Sequence, residues 1–211
     1  METTAPTSLI LPDTLPVMVL ADCCLFPGCQ LPLFIFEERY RRMLSHALEN
    51  HRMFCIGTRQ ERQADCTEVF PCSTAGLVRL CKTQPDGTSH VLLTGLQRIR
   101  LLDWVGDEPC LQARIEPIVS IREQGGNVEL ETLRRQALKL IPDLASPVSQ
   151  EPFADICRQL ADDLSPEAAC DYLAHRFVRR ISCALRLLAE PCVEARYRIL
   201  IGELERLRAS A

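Results

Sequence analysis

Leu25-Phe26-Pro27-Gly28, then Cys29-Gln30, then Leu31-Pro32-Leu33-Phe34-Ile35-Phe36-Glu37-Glu38-Arg39-Tyr40 reads as a turn, a strand and a helix start in direct succession. Pro27 presets one backbone angle and Gly28 tolerates a positive one, so Phe26-Pro27-Gly28 is a tight turn. Leu31 to Ile35 is an apolar run of strand length, with Pro32 near its start. From Phe36 to about Asn50 the apolar period changes. Phe36, Tyr40, Met43, Leu44, Ala47 and Leu48 fall on one helical face, and Glu37, Glu38, Arg41, Arg42, Ser45 and Glu49 on the other. Glu37 and Glu38 occupy the first turn, where the helix dipole favours carboxylates.

Outward from this stretch the text is mostly strands. Leu15 to Leu20 precedes it, and Met53–Gly57, Leu77–Cys81, Val91–Thr94, Ile99–Val105 and Leu111–Val119 follow. Pro85-Asp86-Gly87 is a hairpin turn. Arg59 to Cys72 is polar and reads as a loop. Many short strands around one inserted helix predict a small closed or half-closed barrel, because closure removes exposed edges.

The composition then shifts. Arg122-Glu123-Gln124-Gly125-Gly126-Asn127 is a polar joint, and the pattern is helical after it. Leu130, Leu133, Ala137, Leu140 and Ile141 form one stripe, stopped near Pro142. Phe153, Ile156, Cys157, Leu160, Ala161 and Leu164 form another. Ser165-Pro166-Glu167 is a helix start, with Ser as the cap and Pro in the first turn. Shorter and longer helices follow at about Ser182–Ala189 and from Pro191. The expectation is an α+β chain: an arm at 1–13, a β-barrel at 14–121, a linker at 122–127 and a helical bundle at 128–211.

The opening stretch resembles the start of the Lon protease N-terminal, substrate-binding domain family. That family reads roughly LFPG, then LPL, FE and RY before a helix. Ala75-Gly76-Leu77-Val78-Arg79-Leu80 is similar to a later strand of the family. Leu93-Thr94-Gly95-Leu96-Gln97-Arg98-Ile99 is similar to the hairpin that follows, and Leu187-Leu188-Ala189-Glu190 with Val193-Glu194-Ala195-Arg196 to the start of the last helix. The resemblance covers about 15 to 208. It implies a PUA-like barrel followed by a helical bundle, in a free-standing form without the ATPase and peptidase regions. It also implies binding of unfolded or tagged polypeptide, or of a protease component.

The candidate peptide contacts are Phe26, Pro27, Gly28, Leu33, Phe34 and Tyr40, weighed against the ordinary reading that such aromatics are core. Phe36, Glu37, Arg39, Gly76 and Arg196 belong to the motifs as structural residues. For Glu37 and Arg39 the expected role is an ion pair or hydrogen bond that pins the first helix to the barrel.

Bulk properties narrow the choice. The chain has 211 residues, 47% of them hydrophobic and 25% charged, with a formal net charge of −4. An acidic total gives no whole-molecule attraction for nucleic acid. Arg39, Arg41 and Arg42, or Arg176, Arg179 and Arg180, are the clusters an RNA-binding alternative would use, but a solvated helix face is the favoured reading of either cluster. The first twenty residues lack the basic segment of a signal peptide, and no apolar run approaches the roughly 20 residues that span a bilayer. The expected location is cytoplasmic, with no membrane partner.

Reactive chemistry finds little support. Twelve cysteines occur without a CxxC pair, so buried reduced thiols are expected, and no metal or cofactor. Cys23, Cys24 and Cys29 with His46 or His51 are the candidates for a thiol enzyme, the third-ranked function. Gly76 to Thr83 is the nearest text to a phosphate loop, but its second Gly is Cys81. The pairs Glu37-Glu38 and Asp162-Asp163 read as solvated helix residues, since adjacent helical side chains do not face each other.

Overall fold

Strand β1 (Thr14–Leu20) opens the fold, and β2 (Gln30–Ile35) and helix α1 (Glu38–Glu49) follow. This is seen in a computed structural model that describes residues 11–62, 66–106, 110–123, 127–141 and 163–210. The sheet continues with β3 (Met53–Arg62), β4 (Cys66–Val69), β5 (Cys72–Thr83), β6 (Ser89–Val105) and β7 (Gln112–Pro117). The described helices after it are α2 (Asn127–Leu140), α3 (Pro166–Phe177), α4 (Ile181–Ala189) and α5 (Val193–Ala209). The chain is therefore mixed α+β. Residues 1–10 of the expected arm at 1–13, the centre of the linker at 124–126, and most of the Phe153–Leu164 stripe with Cys157 and Asp162 lie outside the described residues.

The strand order is β1-β7-β6-β5-β3-β4, and β1 also pairs in parallel with β3. The pairing path thus returns to its own start. Leu15, Val17, Cys55, Ala75, Ile99 and Ile115 fill a small core between these strands. A larger core joins α1, β2 and the later helices through Phe26, Ile35, Met43, Leu93, Leu173, Leu187 and Tyr197.

Two expectations need correction. The polar stretch Arg59–Cys72 is not a simple loop: Arg59 pairs with Val69 and Arg62 with Cys66 in a β3–β4 hairpin. Its backbone is satisfied by pairing, so its side chains need not alternate, and Val69 packs against the small core. Second, Val91–Thr94 and Ile99–Val105 are one strand. β6 pairs with β2 over its first part and with β7 over its second, and the register shifts opposite Ala75 and Gly76. That irregularity breaks the alternation on which strand reading depends.

The opening motif builds a turn and its docking point. Cys29 N–H donates to the Phe26 carbonyl at 3.1 Å, and Gly28 has φ +74. The turn is locked to β6 by Gly28 N–H to Gly95 O (3.0 Å) and Gly95 N–H to Cys29 O (2.9 Å). A Cβ on Gly95 would lie 2.2 Å from the Phe26 carbonyl oxygen, so the bare Cα is what lets the turn close. On its other side the turn meets α3: the Phe26 ring sits edge-on to His175 at 6.5 Å, and Cys29 Sγ reaches the Asp171 carbonyl.

A buried ionic cluster joins strands to helices beside this turn. Arg98 on β6 is 2% exposed and grips Asp171 on α3 with both guanidinium nitrogens, one at 2.7 Å. Arg196 on α5 is fully buried. It donates to Glu190 O (2.6 Å), Pro191 O (3.0 Å), Glu167 Oε1 (3.0 Å) and Ser120 Oγ (2.6 Å). Ser120 in turn donates to Glu167. Helix α3 starts as its sequence predicts, with Ala168 N–H bound to Ser165 Oγ, and that cap sets Glu167 and Asp171 one turn apart on the facing side.

Two stability outcomes follow. Gly95→Ala, which sets a methyl group against backbone, should lower the urea-unfolding free energy by about 1–3 kcal/mol. Arg98→Met strands a buried carboxylate and should cost about 3–5 kcal/mol, whereas Arg98→Met with Asp171→Leu should recover much of that loss. Equal losses in the single and double variants would remove the pair from its proposed role.

Candidate functional site

The motif residues separate into two sets. Phe26 (2% exposed) and Tyr40 (6% exposed) are buried. Tyr40 donates its hydroxyl to the Val19 carbonyl at 2.7 Å, and this bond, not Glu37 or Arg39, pins α1 to β1. Glu37 and Arg39 bind each other at 2.8 Å on the surface, with the Arg39 guanidinium 4.4 Å above the Tyr40 ring. They are two residues apart, so their ion pair is local to the start of α1. Leu33 is half-buried against the large core. Pro27 is half-buried and Gly28 exposed, at the docked turn. Gly76 faces Leu93 so closely that a Cβ would meet its side chain at 2.7 Å, and Arg196 is the buried hub described above.

What remains at the surface is aromatic. Phe34 is 50% and Phe36 60% exposed. Their rings stack at 5.9 Å, and Phe34 also lies 4.9 Å from the His90 ring. The register extends this group across three strands: Phe34 pairs with His90 and His90 with Lys82, while Pro32 pairs with Leu92 and Leu92 with Leu80. Paired residues project to one face of a sheet. Leu80, Lys82 and Pro32 are exposed and Leu92 is half-buried. His90, Leu80, Leu92 and Lys82 were not among the sequence candidates. The only signal available was their alternation with Val91, Leu93 and Cys81, which cannot say which face is covered.

The edge of β2 is less open than its position suggests. Gly95 N–H binds Cys29 O, which turns the odd-numbered residues of β2 toward β6 and the even-numbered ones away. Pro32 is even and has no N–H to offer. The backbone of Gln30 is bound by the His175 ring.

Other surfaces offer less. Leu102, Trp104, Val105 and Leu111 form a second exposed apolar group, next to residues outside the described set. A groove of about 550 Å³ runs between Pro12, Ile115 and Val119, but Ser120 and Glu167 in its lining are already engaged by Arg196. Among the described residues, no group of three or more His, Cys, Asp or Glu side chains is placed to hold a metal ion. Burial pushes the thiols of Cys23, Cys24 and Cys29 up, the last two to about 12, so they are protonated at neutral pH. His46 and His51 line a different groove, beside Leu15 and Met53. Among the described residues, no helix is long and apolar enough to cross a membrane.

Comparison with known proteins agrees with this architecture. The chain is 28% identical over 144 residues to a Lon protease of Dictyoglomus thermophilum, which covers 67% of this chain and 18% of that protein. It is 27% identical over 197 residues to the Lon protease of Trichlorobacter lovleyi, covering 88% and 24%. The chain thus spans about a fifth to a quarter of these relatives. The N-terminal domain of a Mycobacterium avium complex Lon protease superposes with a TM-score of 0.73 at 17% identity, covering 91% of this chain and 98% of that one. A Lon N-terminal domain protein from Xanthomonas campestris gives 0.58 at 18% identity, covering 90% and 97%. The profile of the ATP-dependent protease La (LON) substrate-binding domain matches residues 14–206, and the chain belongs to that family.

Proposed function

We propose that this chain is a non-catalytic polypeptide-binding module, and that its contact surface is the solvent-facing side of β2, β6 and β5. The observation that carries this reading is the stacked Phe36–Phe34–His90 group, continued by Pro32, Leu92 and Leu80 on one face. Contiguous apolar patches are rare on isolated soluble domains and mark surfaces that a partner covers. Rigid aromatic rings give large contact area at little entropic cost, which suits binding to many sequences. Unfolded or tagged polypeptides expose such partners for them, either alone or held beside a protease component.

The same reading takes the returning strand path as a PUA-like barrel over 14–121 and helices α2 to α5 as a bundle over 128–211, with an arm at 1–13 and a joint at 122–127. The contact region moves from Phe26 and Tyr40, which are buried, to Phe34, Phe36 and their cross-strand neighbours; Leu33, Pro27 and Gly28 support it from beneath and beside. The free cysteines suit a reducing, cytoplasmic setting. RNA ranks lower as a partner. Arg39, Arg41 and Arg180 are each held by a carboxylate, on Glu37, Glu38 and Glu203.

The test is fluorescence anisotropy with a labelled, permanently unfolded polypeptide. Phe34→Asp should weaken binding by about tenfold or more, as loss of a central aromatic contact does, with thermal stability nearly unchanged because the site is exposed. Equal binding by both proteins would exclude this surface. Salt-sensitive retention of RNA without polypeptide capture would favour the nucleic-acid reading instead.

A further inference from the structure

The proposed contact face carries charge as well as apolar area, and the two are arranged in register. Its six cross-strand positions form two rows, Phe34–His90–Lys82 and Pro32–Leu92–Leu80. None of the six is acidic. Lys82 is exposed and has no ion pair among the described residues. Carboxylates on flanking segments are turned elsewhere: Glu37 binds Arg39, Glu38 binds Arg41, and Asp86 accepts the Thr88 N–H and hydroxyl at 2.9 and 2.7 Å. One side of the face is therefore aromatic and the other is an uncompensated cation.

From this complementarity, and resting on the peptide-binding reading above, we infer that the occupant is an extended apolar segment carrying a carboxylate. It crosses the strands instead of joining them. Addition to the β2 edge is weakened because Pro32 has no outward N–H and Gln30 is already bound by His175. Side chains on the face, not the ladder, then hold the segment. Adjacent strands lie about 4.8 Å apart, so Phe34 and Lys82 are separated by roughly 10 Å. A segment in the extended polyproline II conformation rises about 3.1 Å per residue with three residues per turn, so positions three apart share a face roughly 9 Å apart. A residue packed on Phe34 thus places the one three positions away over Lys82. The inferred preference is an aromatic or aliphatic residue with Asp or Glu three residues distant, in a segment otherwise free of positive charge.

The experiment uses the full chain and three synthetic peptides of one apolar sequence, with Glu, Gln or Lys three residues from a central Leu. Dissociation constants are measured by anisotropy at low and high salt. The Glu peptide should bind tightest and the Lys peptide weakest, with a gap of about fivefold at low salt that narrows as salt screens an exposed pair. In Lys82→Glu the order should invert. Equal affinities for the three peptides, with loss of binding in Phe34→Asp, would overturn the charge preference and leave the peptide-binding face standing. A gap that persists unchanged in Lys82→Glu would equally overturn it. Failure of the wild-type chain to bind any of the three would remove the peptide-binding reading itself.

Discussion

Two guanidinium groups with almost no access to water, on Arg98 and Arg196, govern how strands and helices meet. A buried cation costs several kcal/mol unless it is paired and its remaining donors are satisfied. Arg98 meets that condition in part: α3 presents Asp171 to both terminal nitrogens across from β6, while the buried Nε has no hydrogen-bond partner among the described residues. Arg196 can meet it only if the ends of α4 and α5, the segment after β7 and the first turn of α3 converge at Glu190, Pro191, Ser120 and Glu167. Burial pushes the Asp171 carboxyl above the ordinary aspartate range, and the two-pronged contact with Arg98 works against that shift. Such a cluster selects one arrangement by making the alternatives expensive. Hydrophobic contact alone would tolerate sliding.

The rest of the molecule takes its position from this joint. With α3 fixed, its Asp171 backbone and His175 ring form a wall for the Phe26-Pro27-Gly28 turn, and Gly95 forms the opposite wall. The turn fixes where β2 begins. That start sets the β2–β6 register, and the register decides that Ile35, Leu33 and Leu31 face the core while Phe34 and Pro32 face water. A one-residue slip would exchange the two sets. The exposed aromatics are thus a consequence of the docked turn that immediately precedes their strand.

Much of this was legible in the text of the chain. Ser165-Pro166-Glu167 announced α3, the 3.6 periodicity read from Phe36 announced α1 although the helix begins at Glu38 and leaves Phe36 exposed, and Phe26-Pro27-Gly28 announced its turn, because each depends on local backbone rules. Long-range partners were not legible. Arg98 and Arg196 stood in motif-like strings, yet nothing local named Asp171, 73 residues from Arg98, as the ligand. The same limit misplaced Phe26. A turn aromatic is as often exposed as buried, and only α3 packing over it decides. Phe34 and Phe36 were visible as aromatics, but their cross-strand neighbours His90, Leu92 and Leu80 emerge only from register, which short strands do not reveal. The β3–β4 hairpin escaped because polar side chains hide a paired backbone.

The placement of Pro32 links fold to use. On the outward edge of β2 it withholds one of the donors through which a stray strand would extend the sheet, which limits aggregation of a chain that exposes aromatic rings. The same substitution of proline for a donor changes what the surface can recognise. Ladder hydrogen bonds read only backbone and would hold any extended segment in fixed register. With the ladder blunted, contact depends on side-chain faces, where stacked rings accept many apolar partners and Lys82 can discriminate among them by charge. On the proposed reading, this geometry combines broad tolerance with a mild electrostatic filter. In that reading the contact side chains are exposed while Arg98 and Arg196 are buried, so a partner would bind without engaging the pairings that hold the fold.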